Sequence, residues 1–154
     1  MKYLLDASAL LPLLLDYGEE LLSVAAEVAL YTMDLTVYEV GNSLWKLAAL
    51  LGALELGDAE DAVCALSELA RRGAIRVVRF EELDLSRVVR LAASERVTFY
   101  DASYVVASEE VGAPLVTEDE ELGERARRYV SVLRYAEFER AVLGGRRAGS
   151  RRQR

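Results

Sequence analysis

Tyr3-Leu4-Leu5-Asp6-Ala7-Ser8-Ala9-Leu10 is the stretch that decides the fold. Three consecutive large apolar residues with no polar alternation belong in a strand covered on both faces, and this strand ends at an acid. Apolar residues then continue over 9–15 as a helix, with Ser8 expected as its N-cap. A buried strand running straight into a helix opens an α/β unit, and the pattern repeats outward from it. Residues 19–28 read as helix and 30–33 as strand. Thr36 opens a long helix with Val37, Val40, Leu44, Leu47 and Leu51 recurring along it, closed by Gly52. Residues 58–72 form another, with Ala59, Ala62, Val63, Leu66, Leu69 and Ala70 on one face and Gly73 as its stop. Ile75–Val78 is a strand, and Leu85, Val88, Val89 and Ala92 mark a helix. A further helix starts at Asp101 and ends near Gly112. Strands at 114–117 and 130–133 enclose a helix at 119–128, and a short helix runs to Leu143. Apolar strands separated by helices predict a mainly parallel sheet with helices on both faces.

Composition narrows the chemistry. The 154 residues suit one domain with its own core, and 53% are apolar, which excludes a disordered chain. The apolar runs are too short to cross a bilayer, and the first is interrupted by Asp6 with no cleavage site after it. A cytoplasmic protein with no membrane role is expected. There is no histidine, and Cys64 is the only cysteine, so an internal disulfide and zinc sites built on Cys or His are excluded. The formal charge is −7. Five of the 19 basic residues (Arg146, Arg147, Arg151, Arg152 and Arg154) stand at 144–154, where there is no acid, so the body alone carries −12. That sign argues against a broad DNA-binding face, although it leaves room for a small groove in which metal ions screen phosphate. The expected organisation is a domain over 1–143 and a basic, disordered tail over 144–154.

In open parallel sheets, function gathers beyond the carboxyl ends of the strands. Asp6 ends the first strand, Asp119 follows the 114–117 strand, and Glu39 and Asp101 lie in the first turns of helices, so all four acids can reach one edge. Each has an ordinary reading alone: a turn or cap for Asp6, a solvent-facing residue for Glu39, helix starts for Asp101 and Asp119. Asn42, the only asparagine, lies one helical turn beyond Glu39, where its amide can orient a carboxylate or simply face solvent. Grouping changes the weight of the acids. Two carboxylates ~4 Å apart repel by roughly 4 kcal/mol at an effective dielectric near 20. A divalent cation reverses that cost, and oxygen-only ligands suit Mg²⁺ or Mn²⁺.

The segments around these acids, Tyr3 to Leu10, Tyr38-Glu39-Val40-Gly41-Asn42-Ser43-Leu44-Trp45-Lys46, Thr98-Phe99-Tyr100-Asp101-Ala102-Ser103-Tyr104 and Val116-Thr117-Glu118-Asp119-Glu120-Glu121-Leu122, resemble the successive motifs of PIN-domain proteins. They are most similar to the VapC-type toxins of prokaryotic toxin–antitoxin pairs. The resemblance implies a three-layer α/β/α sandwich and a Mg²⁺- or Mn²⁺-dependent endoribonuclease. It implies Asp6, Glu39 and Asp101 as metal-binding acids, Asp119 as a more variable fourth, and Ser8 and Thr117 as supporting hydroxyls. It also implies a homodimer, an RNA substrate and a cognate antitoxin whose C-terminal segment occupies the site. The long helix from Thr36 is apolar around more of its circumference than one core stripe needs, which favours a protein partner or complete burial.

The expected function is therefore hydrolysis of RNA phosphodiester bonds through Asp6, Glu39, Asp101 and Asp119, with Ser8, Asn42 and Thr117 in support. The alternative is a non-catalytic PIN-like module that binds RNA or protein. A phosphatase of the Asp-x-Asp type needs an acid where Ser8 stands, and a phosphorelay receiver needs a lysine near the last strand, which 130–133 lacks.

Overall fold

The run that opens the chain becomes the middle strand of the sheet in the computed structural model, which describes residues 1–144. The strands are β1 (Lys2–Leu5), β2 (Ala29–Met33), β3 (Ile75–Val78), β4 (Leu115–Val116) and β5 (Val132–Leu133). Their spatial order is β3-β2-β1-β4-β5, and every pairing among the described residues is parallel. Parallel neighbours require long crossovers, and helices supply them. These are α1 (Ala7–Tyr17), α2 (Leu21–Val24), α3 (Asp34–Trp45), α4 (Leu56–Arg71), α5 (Leu85–Glu95), α6 (Phe99–Val111), α7 (Glu120–Ala126) and α8 (Tyr135–Leu143).

Alternate strand residues point to opposite faces. Tyr3 and Leu5 join Leu10, Leu13, Leu44, Leu66, Leu69 and Phe138 on one side, under α1, α3, α4 and α8. Leu4 and Leu115 join Val88, Ala102, Val105, Val106 and Leu122 on the other, under α5, α6 and α7. The result is the three-layer α/β/α sandwich expected, with an open sheet whose central strand is β1. Because β1 and β4 are adjacent, with Leu5 opposite Val116, their carboxyl ends bring Asp6 and Thr117 side by side.

Several element ends differ from expectation. Asp6, not Ser8, caps α1: its carboxylate accepts from Ala9 N–H at 3.0 Å, and Ser8 lies inside the first turn. Thr98, not Asp101, caps α6 by accepting from Asp101 N–H at 3.1 Å. The helix expected over 19–28 breaks into a 3₁₀ turn, Gly18–Glu20, and the single turn α2. Gly18, at φ +50°, ends α1 and turns the chain away. Helix α3 begins at Asp34, which places Thr36 in the first turn, and passes into a π-helical turn at Lys46–Leu50. Val63 and Val89, expected on core faces, are exposed. Gly73 and Gly112 do end helices, at φ +72° and +64°, where a side chain would be strained. No helix among the described residues is long and apolar enough to cross a membrane. The basic tail expected to be disordered falls, from residue 145, outside the described residues.

Candidate carboxylate site

Asp6 is 4% exposed, at the end of the central strand. Its Oδ1 accepts from Ser8 Oγ at 2.7 Å and from Ala9 N–H at 3.0 Å, and its Oδ2 accepts from Thr117 Oγ1 at 2.5 Å. The two hydroxyls are themselves fed by backbone donors: Glu118 N–H reaches Ser8 Oγ at 2.8 Å and Asp119 N–H reaches Thr117 Oγ1 at 3.0 Å. Both hydroxyl protons are thus committed to Asp6, and the 3.4 Å approach of Ser8 Oγ to Thr117 Oγ1 is a contact of acceptors. Burial raises the Asp6 pKa, the bonds from Ser8, Thr117 and Ala9 pull it back down, and the Asp119 charge raises it. A carboxylate offers about four lone-pair directions. Three are taken, and the open one lies on Oδ2.

Glu39 is half-buried on α3, and Tyr104 Oη donates to its Oε2 at 2.5 Å. Its pKa is raised, first by burial and then by the charges of Asp6 and Asp101, while the Tyr104 bond opposes the rise. Asp101, partly buried near the start of α6, has Thr98 Oγ1 donating to its Oδ2 at 2.8 Å. Asp119 is exposed and caps α7 through Leu122 N–H at 3.0 Å. The charge of Asp119 is felt at Asp6, and those of Asp6 and Asp101 at Glu39.

They do not collapse to one point. Among the described residues, no group of three or more acids is drawn together tightly enough to hold a metal ion as placed. Nor does any of the four form an ion pair with a described lysine or arginine. Two buried or half-buried acids with raised pKa values and no cationic partner are an electrostatic debt, and the donor set is all oxygen. Those two facts fit a hard divalent cation.

Ser8 and Thr117, which the resemblance implies as supporting hydroxyls, both donate to Asp6. Asn42 is exposed, and its side chain hydrogen-bonds none of the described residues. Thr36 and Tyr104, both buried, were not expected at the site. A phenol inside an apolar helix face needs a polar partner, which was the available signal for Tyr104.

The class defined by this fold and site is an open parallel α/β sandwich with a buried, hydroxyl-clamped carboxylate, Asp6, at the carboxyl end of its central strand. Comparison with known proteins agrees, since the PIN domain pattern matches residues 3–128. The chain belongs to the PIN-domain family. It is 37% identical over 130 residues to Ribonuclease VapC3 of Pyrobaculum aerophilum, covering 81% of this chain and 95% of that protein. It is 36% identical over 122 residues to Exonuclease VapC9 of the same organism, covering 79% and 84%. The crystal structure of PAE2754 from Pyrobaculum aerophilum superimposes with a TM-score of 0.71 at 30% identity, covering 94% of this chain and 96% of that one.

Proposed function

We infer that the chain is a Mg²⁺- or Mn²⁺-dependent endoribonuclease, the toxin of a toxin–antitoxin pair. The observation that carries the reading is Asp6: a buried, hydroxyl-clamped carboxylate without a cationic partner, neighboured by Glu39 and Asp119. Asp6, Glu39 and Asp101 would hold the cation, with Asp119 extending the set. A bound divalent ion supplies positive charge against the phosphate and acidifies coordinating water. The chain's own residues would position that ion. Ser8 and Thr117 fix both oxygens of Asp6, and the Glu118 and Asp119 amides tie the β4–α7 connection to the same clamp. Likeness to proteins named VapC supports RNA as substrate and an antitoxin as partner.

An antitoxin segment would find an apolar surface beside the acids. An apolar groove of about 320 Å³ runs along α3 and α4, lined by Leu44, Trp45, Ala48, Leu56 and Val63 and reaching Gly41, two residues from Glu39. Trp45 is 52% exposed there. A segment lying along α3 would seat apolar side chains in the groove and a basic one among the acids. Binding of such a peptide should displace Mn²⁺, and Trp45→Glu should weaken the peptide without changing RNA cleavage.

The function is tested with labelled single-stranded RNA in Mn²⁺. Cleavage abolished by EDTA and restored by added Mn²⁺ supports a metal-dependent nuclease; RNA left intact at every metal concentration favours the non-catalytic module. Because one relative is named an exonuclease, closed circular RNA decides the mode. Cutting of the circle is expected, and trimming of linear RNA alone would overturn endonucleolytic action.

A further inference from the structure

Tyr104 is 3% exposed, on the face of α6 turned toward α3. Its Oη lies 2.8 Å from Thr36 Oγ1 and 2.5 Å from Glu39 Oε2. A phenol has one proton, and an ionised carboxylate only accepts. The Tyr104 proton therefore points to Glu39, and Thr36 must donate its own to Tyr104. Thr36 Oγ1 in turn accepts from Met33 N–H at 3.2 Å. The chain has a single polarity: Met33 N–H to Thr36, Thr36 to Tyr104, Tyr104 to Glu39. It starts on the last residue of β2 and ends on the acid.

The spacing gives this chain a purpose. Thr36 and Glu39 are three residues apart on α3; Asp101 and Tyr104 are three apart on α6. Residues at that spacing share a helix face. The bonds crossing from α3 to α6 therefore fix the face carrying Glu39 against the face carrying Asp101, and the Asp101 charge is felt at Glu39. Asp6 is held in the same manner, by hydroxyls fed from amides. A hydroxyl orients a carboxylate without cancelling its charge, whereas an arginine would orient it and neutralise it. Outer partners of this kind keep ligands aimed while leaving the charge for a cation.

We propose that Tyr104 is a positioning residue that, backed by Thr36, holds the Glu39 carboxylate on the side of α3 turned toward α6, where it is available to a divalent cation. The inference rests on the metal-site reading above. Its test is Mn²⁺ affinity, read from the signal of free Mn²⁺ in electron paramagnetic resonance, for the full chain and for Tyr104→Phe, which keeps the ring and its packing. Affinity should fall about tenfold or more, the range for outer partners of metal ligands. Thr36→Val should fall less, in the same direction, and it carries the test if Tyr104→Phe does not fold.

A double-mutant cycle separates positioning from general damage. In a Glu39→Gln background, Tyr104→Phe should change affinity by less than about twofold, because the group it aims is already altered. Affinity for Tyr104→Phe within about twofold of wild type would overturn the proposal, as would equal losses in both backgrounds. A wild-type chain that binds no Mn²⁺ overturns the metal-site reading itself, a separate result from normal binding that Tyr104→Phe leaves unchanged.

Discussion

Asp6 and Glu39 on the one hand, and the glutamates around the rest of the molecule on the other, are treated in opposite ways. On the outside, glutamates meet arginines: Glu109 with Arg87 at 2.6 Å, Glu95 with Arg128 at 2.5 Å, Glu81 with Arg79 at 2.7 Å, Glu82 with Arg76 at 3.2 Å, and Glu68 with both Arg71 and Arg72. Asp6, buried, and Glu39, half-buried, meet only hydroxyl and amide donors. The pKa directions follow. Bonds from Arg71 and Arg72 hold Glu68 below the usual range, and the Arg79 amide, with help from the Arg76 side chain, does so for Glu82. Burial lifts Asp6 and Glu39. Even the arginines that follow strands at this edge, Arg79 after β3 and Arg134 after β5, pair with Glu81, Glu118 and Glu120 and leave Asp6 and Glu39 without a cationic partner among the described residues, a charge that suits a cation.

The largest break in that contrast is Asp6→Asn. It removes the charge that both hydroxyls orient, and RNA cleavage in Mn²⁺ should fall by more than about 100-fold, beyond the usual effect of outer-shell changes. Turnover close to wild type would separate Asp6 from the chemistry. Next comes stabilisation by the cation. At Mn²⁺ a hundredfold above its Kd, folding should gain about 2.7 kcal/mol. For a domain of this size that raises the Tm by roughly 5–10 °C. The same titration on Asp6→Asn should give a much smaller rise, and equal rises would place the ion elsewhere.

The third prediction uses pH, with EDTA present so that only protons compete. A carboxyl whose folded pKa is raised binds its proton more tightly in the native state. Its favourable contribution is complete below the unfolded values, 3.8 for Asp6 and 4.5 for Glu39, and is lost as pH rises through the folded pKa. Denaturant melts should therefore show wild type losing stability relative to Glu39→Gln as pH climbs from about 4. Glu68 runs the other way: its folded pKa is lowered, so its contribution is present above 4.5 and fades as pH falls through the folded value. Wild type should lose its advantage over Glu68→Gln on acidification. Slopes of the same sign for the two variants would erase the contrast. The smallest effect belongs to Arg87→Ala, which opens a half-exposed pair. Stability should drop by less than about 1 kcal/mol, with Mn²⁺ affinity unchanged.

Much of the fold was legible because a strand buried on both faces leaves an unbroken apolar run. Ile75–Val78 matches its expected limits, and the short strands at β1, β2 and β4 lie where apolar runs meet polar turns. Asp6 follows such a run directly, while Asp119 comes three residues after β4 ends at Val116. Helix starts were less legible, because Ser8, Asp6, Thr98 and Asp101 are all good caps, and only the geometry of the preceding strand or loop selects among them. The π turn after Trp45 leaves no mark in the apolar periodicity. Val63 and Val89 show the limit of reading a face, since an apolar residue at its margin ends up in solvent. Tyr104 sat in a run whose apolar neighbours masked its hydroxyl, and its partner Thr36 looked like a helix opener. The link between them joins residues 68 apart, which local pattern cannot show.

The most direct measurement is the anomalous difference map of a crystal soaked in Mn²⁺. A peak within coordination distance of carboxylate oxygens from Asp6, Glu39 and Asp101, with Ser8 and Thr117 still bonded to Asp6, is the predicted result. A peak away from these acids, or none at Mn²⁺ concentrations that saturate RNA cleavage, would contradict the claim that their unpaired charge exists to hold a cation.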